Sequence, residues 1–345
     1  MTFWLDIAAF ALKSLVIVAA LGGLIAFGAF IARRMRGEEP EEPRLMVRSL
    51  DERYDAMRDA INDRLLDKKA RKALAKARRK EAKAAAKAGP ERAAGKRVYV
   101  LAFKGDLRAS AVKKLAMEID AVLTVARPET DEVVLRVESP GGTVTGYGLA
   151  AAQLTRLRER KVKVTACVDQ IAASGGYLMA CAADRIVAAP FAILGSIGVV
   201  AQVPNLHRLL KKNDIDYEEM TAGEFKRSVS VLGEITPAGR EHFRGKLDST
   251  HEAFKRFVQQ CRPSLDIARV GDGDVWLGGE ALGLGLVDAL STSDALLFSA
   301  RGEARLFEIA VELRKPLLQQ ILGGFGVAAR SALEGALARL GGAPK

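Results

Sequence analysis

The hydrophobic positions of this sequence form one long apolar run near the start and many short runs after residue 97. Residues 15–32 (LVIVAALGGLIAFGAFIA) carry no charged side chain, and about 18 apolar residues is the helix length that a bilayer core requires. A core helix would not explain the absence of polar residues on every face, and a cleavable signal peptide would begin with basic residues. We therefore predict a transmembrane anchor over residues 1–36.

After residue 97 the pattern alternates between short β-branched runs and longer runs of helical periodicity. The short runs predict strands over 97–103, 132–138, 163–168, 185–189 and 196–200, and the longer ones predict helices over 110–125, 147–160 and 174–183. Strands separated by helices predict a mostly parallel, covered sheet and the α/β fold class, in a domain over residues 97–300. In such sheets the turns at the carboxyl ends of the strands carry the ligand sites.

Between the apolar run and this domain, residues 63–87 are dominated by Lys, Arg and Ala. They hold much of the net charge of +11, so the rest of the chain is closer to neutral. We predict a charged, solvated helix within a linker over residues 37–96, ending at Gly89 and Pro90. Contact with anionic lipid heads, or a simple spacer, fits better than nucleic-acid binding, because aromatic residues that could stack on bases are absent.

Two glycine-containing turns follow predicted strands. One is formed by residues 139–142 (SPGG) and the other by residues 172–176 (AASGG). Glycine permits backbone conformations that point amide N–H groups outward, as a site for a developing oxyanion needs. An ordinary turn before a helix is the alternative for SPGG, and the following GGTVTGYG matches no phosphate-binding loop.

Ser174 supplies the hydroxyl of the second turn. A serine at this place is a common N-cap of the helix that follows. Placement between a strand and a helix is also typical of a nucleophilic serine, although the GxSxG pattern is absent. On the residues alone, both roles stay open.

A nucleophilic serine needs a base. His207, His242 and His251 lie on segments predicted as polar or amphipathic helices, outside any glycine-bearing turn. Lys226 follows a strand predicted from residue 217 and lies among apolar residues in TAGEFKRSVS. Burial lowers the pKa of a lysine from about 10.4 toward neutrality, which turns the ammonium into a base.

No pattern supports a metal or a cofactor. Cys167, Cys181 and Cys261 lack metal-type spacing, and two of them lie in apolar segments that predict buried thiols. The histidines have no cysteine or carboxylate cluster at ligand spacing. We expect neither a metal nor a cofactor.

The motifs SPGG, DQIAASGGYLMACAADRIVAAP, LGSIGVV and TAGEFKRSVS occur in this order. Together they make the chain resemble the signal peptide peptidase A (protease IV) family of membrane-bound serine peptidases, and its SohB branch in particular. The resemblance also covers the apolar run, the Lys/Ala-rich linker and the segment CRPSLDIARVGDGDVWLGGEALGLGLVDAL. Nearly the whole chain apart from its C-terminal stretch is therefore similar to this family.

The resemblance implies catalytic roles. Ser174 matches the family's nucleophile, Lys226 matches the general base of its Ser/Lys dyad, and Ser196 of GSIGV matches the serine that hydrogen-bonds the lysine. The neutral lysine would take the serine proton during attack on a peptide carbonyl, and water would then hydrolyse the acyl-enzyme.

The resemblance further implies that Gly141 or Gly142, with the amide of Gly175, forms the oxyanion hole. The implied fold is the ClpP/crotonase type, usually assembled as a homo-oligomeric ring around an enclosed space. The implied substrates are hydrophobic peptides or unfolded proteins, such as signal-peptide remnants or damaged membrane proteins. We expect contacts with these substrates and with the lipid bilayer, and none with nucleic acid.

Two other functions remain as alternatives. A crotonase-like enzyme acting on an acyl thioester would use the glycine amides but would need neither Lys226 nor Ser196. An inactive membrane scaffold would need no catalytic residue, and the intact set of Ser174, Ser196 and Lys226 argues against it.

Two features of the sequence predict different sides of the membrane for the domain. Arg33, Arg34 and Arg36 follow the apolar run, so the positive-inside rule predicts a cytoplasmic domain. The family resemblance suggests the periplasmic face of a bacterial inner membrane.

The chain ends in a predicted C-terminal extension over residues 301–345. Within it, residues 317–340 predict an amphipathic helix. This helix would serve packing, oligomerisation or the lipid interface, or it is a simple surface helix.

Overall fold

The computed structural model describes residues 43–87 and 95–312. The predicted membrane anchor over residues 1–36 and the predicted helix over residues 317–340 lie outside the described residues. Within the described ranges, no helix is both long enough and apolar enough to cross a bilayer.

Strands and helices alternate along most of the described chain. The strands are β1 (Arg44–Ser49), β2 (Lys96–Lys104), β3 (Glu132–Glu138), β4 (Lys163–Val168), β5 (Ile171–Ala173), β6 (Arg185–Ala188), β7 (Ile193–Gly195), β8 (Val275–Leu277), β9 (Ala289–Leu290) and β10 (Ala304–Glu312). The helices are α1 (Leu50–Leu65), α2 (Lys68–Lys87), α3 (Val112–Leu123), α4 (Val144–Glu159), α5 (Gly175–Ala180), α6 (His207–Lys212), α7 (Pro237–Cys261), α8 (Ile267–Val270), α9 (Gly278–Gly283) and α10 (Ser293–Ala300).

A seven-stranded sheet with the order β1-β10-β2-β3-β4-β6-β9 forms the centre of the fold. Each neighbouring pair from β10 to β9 is parallel. The strands predicted over 132–138 and 163–168 coincide with β3 and β4. The prediction of a mixed α/β fold with a mostly parallel sheet is therefore confirmed.

Alternate residues of the central strands face opposite sides of this sheet. Leu101 and Leu135 belong to the larger apolar cluster, which also contains buried residues of α3, α4 and α5. Val100 and Val134 belong to a smaller cluster on the other face, with residues of α1 and α10. Parallel strands that are covered on both faces bury both sets of side chains, so they are near-continuous apolar runs in the sequence.

Part of the segment predicted as a linker over residues 37–96 belongs to this fold. Strand β1 lies beside β10 in the sheet, and Leu50 is buried in the smaller cluster. The Asp51 carboxylate accepts a hydrogen bond of 2.9 Å from the Leu306 amide in β10. The compact unit accordingly runs from Leu45 to Val311.

The charged helix predicted from residue 63 begins later, at Lys68. Leu66 and Asp67 are not helical and separate α1 from α2. Arg78 of α2 forms an ion pair with Asp59 of α1. This ion pair connects the two helices, and most of the basic side chains of α2 at positions 68–80 are exposed.

Two predicted strands are wrong. Residues 196–200 have no regular structure, and the strand lies earlier, as β7, in a small sheet with the order β5-β7-β8. Positive φ angles at Gly195 (93°) and Ser196 (51°) end that strand. Residues 217–223 are irregular and mostly exposed. In the described chain no neighbouring strand forms backbone hydrogen bonds with them, and β-propensity depends on such neighbours.

Replacing Asp131 by asparagine is expected to lower the free energy of unfolding by about 3 kcal/mol. The Asp131 side chain is fully buried and accepts hydrogen bonds from the Arg97 Nε (2.9 Å) and from the Arg127 amide (2.8 Å), with ion pairs to both guanidinium groups. An asparagine removes the negative charge that faces the Arg97 and Arg127 guanidinium groups. Denaturant unfolding of the full chain in detergent, followed by circular dichroism, measures the loss.

The matched control is Asp294→Asn, since Asp294 pairs with Arg136 but its side chain is 83% exposed, and exposed pairs contribute little. Burial alone would raise the pKa of Asp131, but the hydrogen bonds from Arg127 and Arg97 outweigh it and lower that pKa to about 2. Because the folded-state pKa lies below the unfolded value, the stabilisation is present above about pH 4 and is lost as the pH falls toward 2. Equal losses in both variants would contradict this account.

Candidate active site

The turn after β3 lies directly beside the end of β5. The Ser139 amide donates to the Ile171 carbonyl (2.8 Å), and the Ala173 amide donates to the Ser139 carbonyl (3.0 Å). This parallel bridge sets SPGG against the residue that follows β5, which is Ser174. The two glycine turns that were predicted to carry chemistry are therefore neighbours.

Ser174 has a backbone conformation that non-glycine residues rarely adopt. Its φ is 51° and its ψ is −121°, and such geometry costs about 1–3 kcal/mol and persists only where neighbours hold it. The Ser174 amide donates to the Gly195 carbonyl (2.8 Å), and the Leu178 amide donates to the Ser174 carbonyl (2.9 Å). Ser174 occupies the N-cap position of α5 as the sequence suggested, but its side chain makes no capping hydrogen bond to the helix.

Glycines surround the Ser174 side chain. Gly141 has a φ of 92°, and a Cβ there would stand 2.7 Å from the Gly175 nitrogen and 2.8 Å from the Ser174 Cβ. The Gly141 amide itself donates to the Ser139 Oγ (3.1 Å). The Gly142 and Gly175 amides have no acceptor within the described part of the chain. Of the predicted oxyanion donors, Gly142 and Gly175 are available, while Gly141 allows the close approach of the two turns.

The Tyr147 side chain contacts both glycine turns, although no sequence motif singled this residue out. Its hydroxyl donates to the Asp106 carbonyl (2.9 Å) and shares a hydrogen bond with the Ser139 Oγ. A Cβ at Gly175 would stand 2.4 Å from the Tyr147 ring, so the ring packs against the glycine that follows Ser174. Burial raises the pKa of Tyr147, which keeps its hydroxyl a neutral donor. Tyr147 lies in the first turn of α4, shortly after SPGG. This position is the signal that could have identified it in the sequence.

Ser174 lines two cavities that share several residues. One has a volume of about 310 Å³ and is mainly apolar, with Tyr147, Leu178, Phe254 and Phe257 in its wall. The other has a volume of about 830 Å³, is more open, and runs between SPGG and residues 198–200. An apolar cavity beside an open groove suits an extended chain that inserts one apolar side chain.

Ser196 lies in the open groove together with Ser174. Its φ is 51°, and its amide donates to the Asp274 carbonyl (2.6 Å). The preceding Gly195 is packed against Trp276, since a Cβ there would stand 2.5 Å from the indole ring. The segment that carries Ser196 is thus fixed from two sides, and the carbonyl of Gly195 also holds the Ser174 amide.

His251 lines the same groove, although its place on a helix argued against it in the sequence. Its Nε2 lies 2.9 Å from the Ile197 carbonyl oxygen, and Asp272 also contributes to the groove wall. Within the described residues, no hydrogen bond joins His251 to Ser174. Residues three apart share a helix face, so the apolar Phe254 was the signal that α7 turns this face toward a cavity.

Lys226 is not among the residues that line either cavity. It is exposed, in the irregular segment between α6 and α7. In the described part of the chain its side chain makes no hydrogen bond or ion pair, and the nearby Phe225 ring stacks on His242 at 4.0 Å. The sequence did not establish whether Lys226 is buried, and in the single described chain it is exposed.

The described ranges contain no group of three or more His, Cys, Asp or Glu residues that could hold a metal ion. Cys167 and Cys181 are buried and Cys261 is partly buried, and all three are free thiols. The polar groups assembled at the site are hydroxyls, backbone amides, one imidazole and the Asp272 carboxylate. They suit attack of a hydroxyl on a carbonyl carbon.

Two family models match the chain. The model described as peptidase family S49 N-terminal matches residues 2–154, and the model described as peptidase family S49 matches residues 156–306. Ser174, Ser196 and Lys226 all lie in the part that the second model covers.

Curated relatives show the same similarity. The probable protease SohB of Haemophilus influenzae is 54% identical over 65% of this chain, and the match spans 63% of that relative's length. A putative protease of Synechocystis is 33% identical over 63% of this chain and 79% of its own length. A solved membrane-bound stomatin-specific protease with a bound substrate peptide is 16% identical, with a TM-score of 0.40 over 67% of this chain and 98% of that one.

Proposed function

Because the chain belongs to peptidase family S49, we propose that it is a serine endopeptidase whose nucleophile is Ser174. The observation that carries this proposal is the placement of Ser174. Its side chain stands between two glycine turns, beside the unpaired amides of Gly142 and Gly175 in the described chain and at the wall of an apolar cavity. An ordinary structural serine would not need the strained backbone that Ser174 has.

The Gly142 and Gly175 amides serve as the oxyanion hole in this proposal. When the Ser174 Oγ attacks a peptide carbonyl, negative charge develops on the carbonyl oxygen. Amide donors that are already oriented stabilise that charge, and each typically contributes about 3 kcal/mol. The leaving amine departs, and water then hydrolyses the acyl-enzyme.

Lys226 is the proposed base, and Ser196 the proposed hydroxyl that orients it. Ser196 already shares the groove with Ser174, whereas Lys226 does not. We propose that a second copy of the chain presents its Lys226 to the groove in the homo-oligomeric assembly. Exposed apolar side chains beside Lys226, such as Met220 (84%) and Phe225 (43%), support this. Burial between copies would favour the neutral amine.

The two cavities define the proposed substrate class. The open groove would take an extended peptide, and the 310 Å³ cavity would take one apolar side chain. Signal-peptide remnants and damaged or unfolded membrane proteins have this character. Residues 15–32 would anchor the enzyme in a bacterial inner membrane near such substrates. We also propose that the core of the domain has the ClpP/crotonase-type fold.

The test uses the detergent-solubilised full chain with an unfolded apolar polypeptide and, separately, a fluorophosphonate probe. We expect cleavage that increases toward basic pH, because the base must be a neutral amine, and a covalent adduct that mass spectrometry maps to Ser174. Turnover of an acyl thioester without peptide cleavage would favour the crotonase-like alternative. Neither turnover nor an adduct would favour a scaffold.

A further inference from the structure

Helix α7 contributes to both the apolar cavity and the open groove. Its Phe254 and Phe257 side chains line the 310 Å³ cavity, and Val258 is buried in the larger apolar cluster. His251 lies three residues before Phe254 and therefore shares its helix face, but it lines the open groove. The second half of α7 is thus fixed to the core by apolar side chains, and His251 is the polar group that this fixed helix presents to the groove.

His251 contacts the backbone of one wall of the groove, residues 197–200, which we call the groove edge. Its Nε2 lies 2.9 Å from the carbonyl oxygen of Ile197. A carbonyl oxygen can only accept a hydrogen bond, so the His251 Nε2 carries the proton and donates it. In the described part of the chain, the groove edge makes one other hydrogen bond, from the Gly198 amide to the carbonyl of its near neighbour Ser196 (2.8 Å). His251 therefore supplies the hydrogen bond that ties the groove edge to a helix.

The two serines of the site are held by hydrogen bonds that do not involve His251. The Ser196 amide donates to the Asp274 carbonyl (2.6 Å), and the Ser174 amide donates to the Gly195 carbonyl (2.8 Å). Loss of the His251 hydrogen bond would therefore loosen the groove edge while both serines stay anchored.

The groove edge offers backbone groups that an extended peptide can use. The Val199 and Val200 amides have no acceptor in the described chain, and Val200 is 81% exposed. Close packing of Gly198 against Gly273 adds van der Waals contact to the groove edge but no hydrogen bond. A peptide that binds along such an edge does so through main-chain hydrogen bonds, so its affinity depends on an edge that is held in one conformation.

We propose that His251 is a positioning residue of the peptidase, whose Nε2–H group holds the groove edge in the conformation that binds the extended substrate. This role rests on the proposed function, because it belongs to the same site. His251 acts through the Ile197 carbonyl, and in the described chain it makes no hydrogen bond to Ser174. Its removal should therefore weaken peptide binding more than the chemical step, which raises KM while kcat changes little.

Two substitutions separate the donor of His251 from its ring. His251→Phe keeps a planar ring but has no donor. His251→Gln has no ring, but its side-chain amide nitrogen is as many bonds from Cα as Nε2 is in histidine. We expect His251→Phe to raise the KM of an apolar peptide about 10-fold, the effect of losing one hydrogen bond of ordinary strength. Its kcat should stay within about threefold of the wild-type value, and His251→Gln should recover most of the loss in KM.

The kinetics are measured on the detergent-solubilised full chain with a fluorogenic apolar peptide. Glu252→Gln is the matched control, since Glu252 is the next residue of α7 and its exposed side chain pairs only with Lys255. This variant should behave as the wild type does. Wild-type KM in His251→Phe, or a raised KM in His251→Gln alone, would overturn the proposal. A large loss of kcat in both variants would also overturn it and assign the imidazole to proton transfer.

Hydrogen exchange followed by mass spectrometry tests the same role without any substrate. The fragment that contains residues 197–200 should exchange about 10-fold faster in His251→Phe than in the wild type or in His251→Gln. The fragment that contains Ser174 should exchange equally in all three proteins. Unchanged exchange at residues 197–200 in His251→Phe would contradict the proposal. A chain that shows the expected exchange but cleaves no peptide would instead refute the proposed function and leave the contact between His251 and the groove edge standing.

Discussion

Replacing Ser174 by alanine is expected to lower peptide cleavage by at least about 10⁴-fold, because removal of the nucleophile leaves only binding and oxyanion stabilisation. Alanine keeps the Cβ and meets the same backbone strain at φ 51°. The change removes one oxygen that makes no capping hydrogen bond to α5. The free energy of unfolding should therefore stay within about 0.5 kcal/mol of the wild-type value. Initial rates on an unfolded apolar polypeptide measure the loss.

Ser299→Ala supplies the matched control for the nucleophile. Ser299 lies on α10, on the opposite side of the sheet, and its hydroxyl only donates to the Leu296 carbonyl (2.8 Å). This variant should cleave as the wild type does. A Ser174→Ala enzyme with substantial residual cleavage would show that another group attacks the carbonyl. Thioester turnover that survives in the same variant would move the crotonase-like alternative ahead.

The central sheet was predictable because its strands are buried on both faces. Runs such as RVYVLAF and EVVLRVE are largely apolar, which identifies a covered parallel strand without any tertiary information. Strand β1 was missed because it lies at the sheet edge and has mostly exposed residues. Its place is set by the neighbouring β10, which begins about 250 residues later, and no local pattern encodes such a pairing.

The active site likewise contains some features that local sequence could predict and others that it could not. The glycine turns around Ser174 could be found because positive φ angles and close backbone approach require glycine locally. His251 was dismissed since its neighbours in sequence are helical and polar, and only the fold brings it to the Ile197 carbonyl. Lys226 was singled out by its apolar neighbours and by a predicted strand that the structure does not contain, and the resemblance gave it the role of base. Burial of its amine would need contacts that the single described chain does not contain.

Replacing Lys226 by alanine is expected to lower cleavage about 10³-fold, within the range that a positioned general base contributes. Lys226→Arg should lose as much, because a guanidinium keeps the charge but cannot give up its proton near neutral pH. Lys212→Ala, at the end of α6, is the control for loss of a nearby exposed charge and should cleave as the wild type does. Rates across pH, measured on the detergent-solubilised full chain, provide the comparison.

Mixed assemblies decide which chain supplies the lysine. If Lys226 of one copy acts on Ser174 of a neighbour, Ser174→Ala and Lys226→Ala chains that co-assemble in equal amounts should regain cleavage. Random mixing leaves about a quarter of the sites with both groups intact, because each position is intact in half of the copies. No recovery, with co-assembly confirmed by a tag on one variant, would mean that the segment carrying Lys226 folds back onto its own groove. Full activity of Lys226→Ala alone would instead make His251 the leading candidate for the base, since its imidazole already lines the groove with Ser174.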